Sequence, residues 1–211
     1  MIKILITDDH PIVRQGIRQI LEDDKFQRFG LIEEAVNGKE LLEKIKTTVF
    51  DVILLDISLP GRSGLEILGE VKKNVSKTAV LILSIYPEEQ YAIRAIKLGA
   101  SGYLNKASAP EELIEAIIKV SEGGRYLTPS LTENITMNFF NEDQKPLYDK
   151  LSIRELEVIT LIAEGKTLSN IATDLLLSPK TISTYRERIL TKLSLKTTSD
   201  IIRYAIKEGL V

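Results

Sequence analysis

Apolar residues in the first part of the chain follow two rhythms in alternation. Short, nearly unbroken runs of branched residues give way to longer stretches where apolar positions recur every three or four residues. The first rhythm suits strands buried on both faces of a parallel sheet, and the second suits amphipathic helices. Ile2 to Thr7 predicts a strand that stops at Asp8-Asp9-His10-Pro11, and Pro11 fits the first turn of a helix with Val13, Ile17, Ile20 and Leu21 inward. A strand near Leu31 to Ala35 precedes Asn37, placed ahead of Glu40 as in a capping box, and Leu41, Leu42 and Ile45 line the next helix. Val52 to Leu55 ends abruptly at Asp56, and the chain turns through Pro60-Gly61 and Gly64 into a helix from about Ser63 with Leu65, Ile67, Leu68 and Val71. Ala79 to Leu83 ends at Ser84, and after Pro87 a helix carries Ala92, Ile93 and Ile96 and closes at Gly99. Gly102 to Asn105 leads to Lys106, then Ser108-Ala-Pro-Glu111 predicts a capping box ahead of Leu113, Ile114, Ile117 and Ile118. Five strands alternating with five helices predict an α/β fold: a doubly wound, five-stranded parallel sheet with right-handed crossovers.

Gly123-Gly124 closes that unit, which spans residues 1–122. Residues 123–148 read as a linker, with Pro129, Pro146, the polar run Asn141 to Lys145 and one short helix around Leu131 to Phe140. From there to residue 211 every pattern is helical, which predicts a small all-α domain over 149–211. Ser152 with Glu155 gives a capping box, Gly165 closes that helix, and Ile171, Ala172 and Leu175 mark a short second one. Ser178-Pro179 pairs an N-cap with a proline at the first helical position. On a wheel of that third helix, Ile182, Tyr185, Ile189 and Leu193 share one side, while Lys180, Thr184, Glu187, Arg188 and Thr191 point the other way with Ser183 at the edge.

Composition narrows the class without choosing a function. With 44% hydrophobic and 27% charged residues, the chain is ordinary for a globular protein. No apolar run is long enough to span a membrane, the N-terminus lacks signal-peptide architecture, and a cytoplasmic location is expected. The absence of cysteine excludes disulfides and thiolate metal sites. The net charge of −2 conceals an asymmetry: residues 151–211 carry 9 basic and 7 acidic side chains, leaving −4 on the remainder. Between Lys180 and Lys196, Lys180, Arg186, Arg188, Lys192 and Lys196 against Glu187 make the segment locally basic, which suggests different partners for the two units.

In open parallel sheets, ligands gather beyond the carboxyl ends of the strands. There the predicted strands deliver Asp8 and Asp9, Asp56, Ser84 and Lys106. Carboxylates crowded at one edge repel, and hard oxygen donors favour Mg²⁺, which keeps waters and pairs well with phosphate. The chemistry this permits is phosphoryl transfer onto Asp56, with Lys106 as a second positive charge and the Ser84 hydroxyl as a donor to a phosphoryl oxygen. Taken singly, Asp8 reads equally well as a helix cap, Ser84 and Tyr103 as rim and core residues, and His10 as a plain first-turn residue. A hydrolase of the haloacid dehalogenase type calls for a second aspartate two residues after the nucleophile, where this chain has Ser58.

Asp8-Asp9, Asp56, Ser84, Tyr103 and Lys106, in this order and at strand ends, give residues 1–122 a clear resemblance to the flavodoxin-like receiver domain of bacterial response regulators. The resemblance implies phosphorylation of Asp56 by a histidine kinase. It implies Mg²⁺ on Asp9, Asp56 and the Ser58 backbone carbonyl, with Asp8 acting largely through water. It makes Tyr103 an aromatic switch that turns inward as Ser84 follows the phosphate. Ala107 departs from the family, many of whose members carry proline after the lysine.

The last sixty residues resemble the NarL/FixJ (LuxR-type) helix-turn-helix domain. The matching positions are Leu151-Ser152, Arg154-Glu155, Glu157-Val158, Ile171-Ala172, Leu175, Ser178, Thr181-Ile182 and Lys192-Leu193. The departure is Leu168-Ser169-Asn170, where an Asn-Lys-Glu run is common and where Lys166, Ser169 and Asn170 are left as the polar groups. A helix-turn-helix places its second helix in the major groove of double-stranded DNA. Lys166, Lys180, Arg188, Lys192 and flanking Lys196 are candidates for phosphates, and Ser183, Thr184 and Glu187 for base edges. Arg186 falls near the apolar side, which points to a phosphate or an intramolecular pair. Without the resemblance, such a charged face is commonly just a solvated one. The last helix, with Ile201, Ile202 and Ala205, resembles the family's dimerisation helix. The expected function is a bacterial response regulator, not a turnover enzyme, that binds DNA as a homodimer when phosphorylated on Asp56. A regulator of the same fold that ignores phosphorylation is the alternative.

Overall fold

The computed structural model describes residues 1–86, 88–133 and 146–211. The chain forms two compact units, Met1–Thr136 and Met137–Val211. In the first, strands β1 (Ile2–Thr7), β2 (Phe29–Ala35), β3 (Val52–Asp56), β4 (Ala79–Ser84) and β5 (Gly102–Asn105) alternate with helices α1 (Pro11–Glu22), α2 (Gly38–Thr47), α3 (Gly64–Asn74), α4 (Glu88–Lys97) and α5 (Pro110–Ser121). All neighbouring strands run parallel, in the order β2-β1-β3-β4-β5. This is a doubly wound sheet whose order reverses at β1 and β3, the crevice where such sheets hold ligands.

The strands are apolar throughout because both faces are covered. Ile4, Ile6, Val52, Leu54, Leu81 and Leu104 join Ile17 and Leu21 of α1 and Leu113, Ala116, Ile117 and Val120 of α5 in one core. Leu5, Ile53, Leu55, Val80, Ile82 and Tyr103 alternate with these and are equally buried on the opposite face. The register then fixes the site: Thr7 lies opposite Leu55, Asp56 opposite Leu83, and Ser84 opposite Asn105. The residues that leave the strands therefore emerge in one rank at the carboxyl edge.

Local expectations meet the structure unevenly. Asn37 caps α2 by accepting from the Glu40 N–H at 2.9 Å, but the Glu40 carboxylate returns to Val36 N–H rather than to the cap residue. The capping box predicted at Ser108 does not form: Pro110 takes the first helical position, so Ala109 is the cap, and Ser108 stands one residue too early. On α4 the buried residues include Tyr91, Ala92 and Ala95, while Ile93 and Ile96 are only half-buried. β2 begins two residues before its predicted start, at Phe29. Of the helix expected around Leu131 to Phe140, residues 129–133 are helical; residues 134–140 lie outside the described residues, as does the polar run 141–145.

The second unit has four helices after a short 3-10 turn at Leu147–Lys150: α6 (Ile153–Ala163), α7 (Leu168–Asp174), α8 (Pro179–Leu193) and α9 (Thr198–Lys207). Ser152 and Glu155 form the expected capping box, and Ser178 caps α8 by accepting from Thr181 N–H at 3.1 Å. Thr167 and Thr197 cap α7 and α9 in the same way. The turn between α7 and α8 holds Leu176 at φ 51°, a left-handed conformation that costs a branched side chain about 1 kcal/mol. Ile171, Ala172, Ile182, Ile189, Leu193, Ile201 and Ala205 are buried, and so is a charged pair, Arg154 with Glu157 at 2.6 Å. Among the described residues no helix is long and apolar enough to cross a membrane.

Candidate functional site

At the carboxyl edge of the sheet, Asp8 and Asp56 are 1% and 2% exposed. The Lys106 ammonium reaches both, 2.6 Å from Asp8 Oδ2 and 2.8 Å from Asp56 Oδ2. Burial pushes the Asp56 carboxyl above its ordinary range; Lys106 and the Ser58 backbone N–H pull it down, and Asp8 pushes it further up. Burial alone would lower the lysine, yet the two carboxylates beside it raise it overall, so it stays charged. One cation thus faces two buried carboxylates, with half-buried Asp9 close by.

His10 is placed differently from the expectation. It occupies the cap position before α1, and its Nδ1 lies 2.8 Å from Asp9 Oδ1 and 3.1 Å from Asp8 Oδ1. Its backbone N–H also donates to Asp8 Oδ1 at 2.8 Å. The ring therefore leans over the acidic pair instead of serving as an ordinary first-turn residue. Ligand atoms of Asp8, Asp9, His10 and Asp56 all lie within 4.8 Å of one another. Buried Asp8 Oδ2 and Asp56 Oδ2 have the Lys106 charge within reach but no aligned hydrogen bond, and Asp9 Oδ1 has none either. Hard oxygens left in that condition suit a cation such as Mg²⁺.

Ser84 is fully buried at the end of β4, where its Oγ accepts from the Tyr86 N–H at 3.0 Å. Tyr103 points inward, and its hydroxyl donates to the Tyr86 carbonyl at 2.8 Å. Burial holds that phenol well above the ordinary tyrosine range. The structure therefore brings Asp8, Asp9, Asp56, Ser84, Tyr103 and Lys106 to one edge, with Ser58 entering through its backbone.

Three supporting residues were missed in the sequence reading. Arg14 is buried in α1, where it donates to the Asp8 carbonyl at 2.8 Å and pairs with Glu34 at 3.0 Å, fixing the backbone that carries Asp8. An arginine beside Val13 and Ile17 on an otherwise apolar stripe was the available signal. The sequence pattern marks Gly64 only as a turn residue, but a Cβ there would overlap the Asp56 carbonyl oxygen, so only glycine lets α3 start so close. Tyr86 links Ser84 to Tyr103 and gave no sequence signal at all.

In the helical unit, Lys180, Ser183, Thr184, Glu187 and Arg188 are all exposed along α8. Neither Lys180 nor Arg188 has a carboxylate partner among the described residues. Two other candidate cations are already engaged: Lys192 bonds the buried Glu155 at 2.6 Å, and Lys166 pairs with Asp174 at 2.8 Å. Burial would raise the Glu155 carboxyl, but Lys192 and Ser152 hold it below its ordinary value. Arg186 makes the intramolecular pair, bonding Thr198 Oγ1 at 2.8 Å and Glu187 Oε1 at 2.5 Å. A short helix, a turn and a second helix with an exposed polar and cationic face match the helix-turn-helix arrangement.

Comparison with known proteins agrees with both units. Residues 4–118 match the family described as "Response regulator receiver domain", and residues 149–205 match "Bacterial regulatory proteins, luxR family". Response regulator UvrY of Escherichia coli strain K12 is 34% identical over 211 residues, covering 100% of this chain and 96% of its own. A structure of the RcsB response regulator of Salmonella typhimurium, described as showing conformational dynamism for DNA interaction, superposes with a TM-score of 0.61 at 25% identity over 97% of this chain and 98% of its own. Another, described as two RcsB dimers bound to two parallel DNAs, gives 0.58 at 26% identity over 96% of each chain. The chain belongs to the two-component response regulators that join a receiver to a LuxR-type DNA-binding domain.

Proposed function

We propose that Asp56 accepts a phosphoryl group from a histidine kinase and that its occupancy governs DNA binding by the α8 face. The observation that carries this reading is the buried Asp8–Lys106–Asp56 arrangement, with Lys106 Nζ 2.8 Å from Asp56 and 2.6 Å from Asp8. An Asp56 oxygen attacks phosphorus while the bond from phosphorus to the donor's nitrogen, or to an acyl oxygen, breaks. Lys106 neutralises the charge that gathers on the phosphoryl oxygens, and the Ser84 hydroxyl donates to one of them. Asp8, Asp9, Asp56 and the Ser58 backbone carbonyl would hold Mg²⁺, which supplies further charge neutralisation when bound. Asp56 takes the phosphoryl as cargo, so the protein is no turnover enzyme and performs only self-phosphorylation and slow self-dephosphorylation.

Occupancy of Asp56 shifts the receiver between two arrangements through Ser84 and Tyr103. Lys180 and Arg188 bind phosphates, and Ser183, Thr184 and Glu187 face base edges, with Glu187 accepting from a cytosine amino group. Lys192 and Lys166 are further phosphate candidates, and their internal pairs with Glu155 and Asp174 favour a scaffold role ahead of DNA contact. The receiver occupies residues 1–122, the linker 123–148 and the DNA-binding domain 149–211. The relative's dimers on DNA support a homodimer on paired half-sites, and partners of this kind suit a location in the bacterial cytoplasm. Incubation with radiolabelled acetyl phosphate and Mg²⁺ tests the assignment. Wild type takes up label and Asp56→Asn does not; undiminished labelling of that variant would falsify the site.

A further inference from the structure

The segment 125–133 lies against the receiver in an ordered way. Tyr126 pairs with Gly102 as a parallel bridge beside edge strand β5, its N–H donating to the Ser101 carbonyl at 3.0 Å. Glycine is required for that approach, since a Cβ at position 102 would come within 2.7 Å of the Tyr126 carbonyl oxygen. Leu131 is fully buried. Thr128 caps the helical turn 129–133, its Oγ1 accepting from Leu131 N–H at 3.1 Å and its carbonyl from Thr132 N–H at 3.0 Å. The same hydroxyl donates to Glu88 Oε1 at 2.7 Å, and the Ser130 hydroxyl donates to that oxygen as well.

Glu88 is the first residue of α4 and stands two residues after Tyr86. Tyr86 in turn carries both switch contacts: its N–H donates to Ser84 Oγ at 3.0 Å, and its carbonyl accepts from Tyr103 at 2.8 Å. Its ring stacks on Tyr91 of α4 with centroids 4.8 Å apart. Tyr86 is thus held by Ser84 and Tyr103, and Glu88, two positions later in the sequence, by two linker hydroxyls.

We infer that Glu88 couples the phosphoacceptor pocket to the start of the linker, by holding Thr128 and Ser130 on the same stretch of chain that Ser84 moves. The inference rests on the reading of Asp56 as phosphoacceptor. A phosphoryl group on Asp56 draws the Ser84 hydroxyl toward it, and Tyr86 N–H must follow Oγ or lose its acceptor. Either response displaces the chain at Tyr86, two positions before Glu88 opens α4. Hydrogen bonds to a carboxylate are among the stronger ones, so Thr128 and Ser130 follow Glu88 or let go of it. Both outcomes alter the cap on residues 129–133, through which the chain leaves the receiver. Glu88 touches neither the phosphoryl group nor DNA; it acts by position. Coupling is reciprocal, so loosening residues 125–133 must also bias the pocket.

Amide hydrogen exchange at Leu131 and Thr132 in the full-length protein, with and without acetyl phosphate and Mg²⁺, tests this. Phosphoryl uptake is measured by mass in the same samples. In wild type, exchange at these amides changes by about fivefold or more on phosphorylation, the low end of ordinary allosteric coupling. Glu88→Ala exchanges faster already without acetyl phosphate and no longer responds to it, while phosphoryl uptake persists. Glu88→Gln keeps an acceptor and recovers part of the response. If Glu88→Ala does not fold, Ser130→Ala, which removes one of the two hydroxyls, weakens the response in its place. Wild-type exchange and response in these variants would overturn the coupling. Phosphoryl uptake by wild type with unchanged Leu131 and Thr132 exchange would overturn it too and leave the Asp56 reading standing; absence of uptake would remove both.

Discussion

The acidic pocket and the outward face of α8 both gather polar groups, yet they treat charge in opposite ways. In the pocket, Asp8 and Asp56 are buried against one lysine, and burial outweighs that lysine's pull on the Asp56 carboxyl. On α8, Lys180 and Arg188 stand in water, and the Glu187 side chain is 67% exposed beside Arg186. Buried charges short of partners hold a structure in readiness for a ligand that completes them, at some cost in stability. Exposed charges cost the fold little and serve a partner that brings its own opposite charge. The first arrangement suits a site whose occupancy changes the protein. The second suits a surface that docks without changing.

If burial rather than charge number sets the cost, the largest stability effect belongs to neither site. Arg154→Ala breaks the buried 2.6 Å ion pair with Glu157 and should cost about 3 kcal/mol in denaturant unfolding of the helical unit. Arg188→Ala should stay within roughly 0.5 kcal/mol of wild type, and equal losses would break the comparison.

Next in size is the pocket. Asp56→Asn removes the cost of burying a charged carboxylate and, secondarily, its repulsion with Asp8, so the metal-free variant should be more stable than wild type at pH 7, on the order of 1 kcal/mol. The sign follows from the raised carboxyl: its charged form penalises the folded state above the folded pKa, and the penalty disappears as pH falls through that value. The variant's advantage should therefore shrink in acid, and millimolar Mg²⁺ should favour wild type instead. An advantage that persists unchanged in acid would mean that the charge on Asp56 is not its cause.

DNA binding separates the cations of the helical unit. Lys180→Ala should weaken binding about equally at all sequences and flatten the salt dependence of log K by about 0.9, one phosphate contact. Lys192→Ala should leave that slope nearer to wild type and lower unfolding stability instead, because its partner Glu155 is buried. Matching slopes for the two variants would return Lys192 to the DNA face.

The smallest effect is a pH window. Hydrogen bonds from Thr197 and Arg203 hold the Asp200 carboxyl at about 2 against an ordinary 3.8. Its contribution is complete above 3.8 and lost as pH falls toward 2. The stability difference between wild type and Asp200→Asn should close across that interval; a constant difference would assign the effect to the lost cap alone.

Periodicity alone determined much of this chain. Branched runs such as Val52 to Leu55 and Ala79 to Leu83 read as strands covered on both faces, and an α/β alternation of that length leaves few topologies. The α8 face was equally legible, because its residues share one helix and a wheel suffices to order them. The pocket was legible only in part, since the strand ends could be ranked along the sequence but not measured. Tertiary structure decided what each charge meets. His10 leans on Asp9, Arg14 holds the Asp8 backbone, Lys192 goes to Glu155, and the linker's Thr128 and Ser130 find Glu88. Each of these pairs but the first lies six or more residues apart, or crosses between elements, where no local pattern reaches. The physical reason is common to both lists. Burial of apolar surface sets a period that one segment can carry, whereas the partner of a charge is whatever the fold brings within a few ångströms.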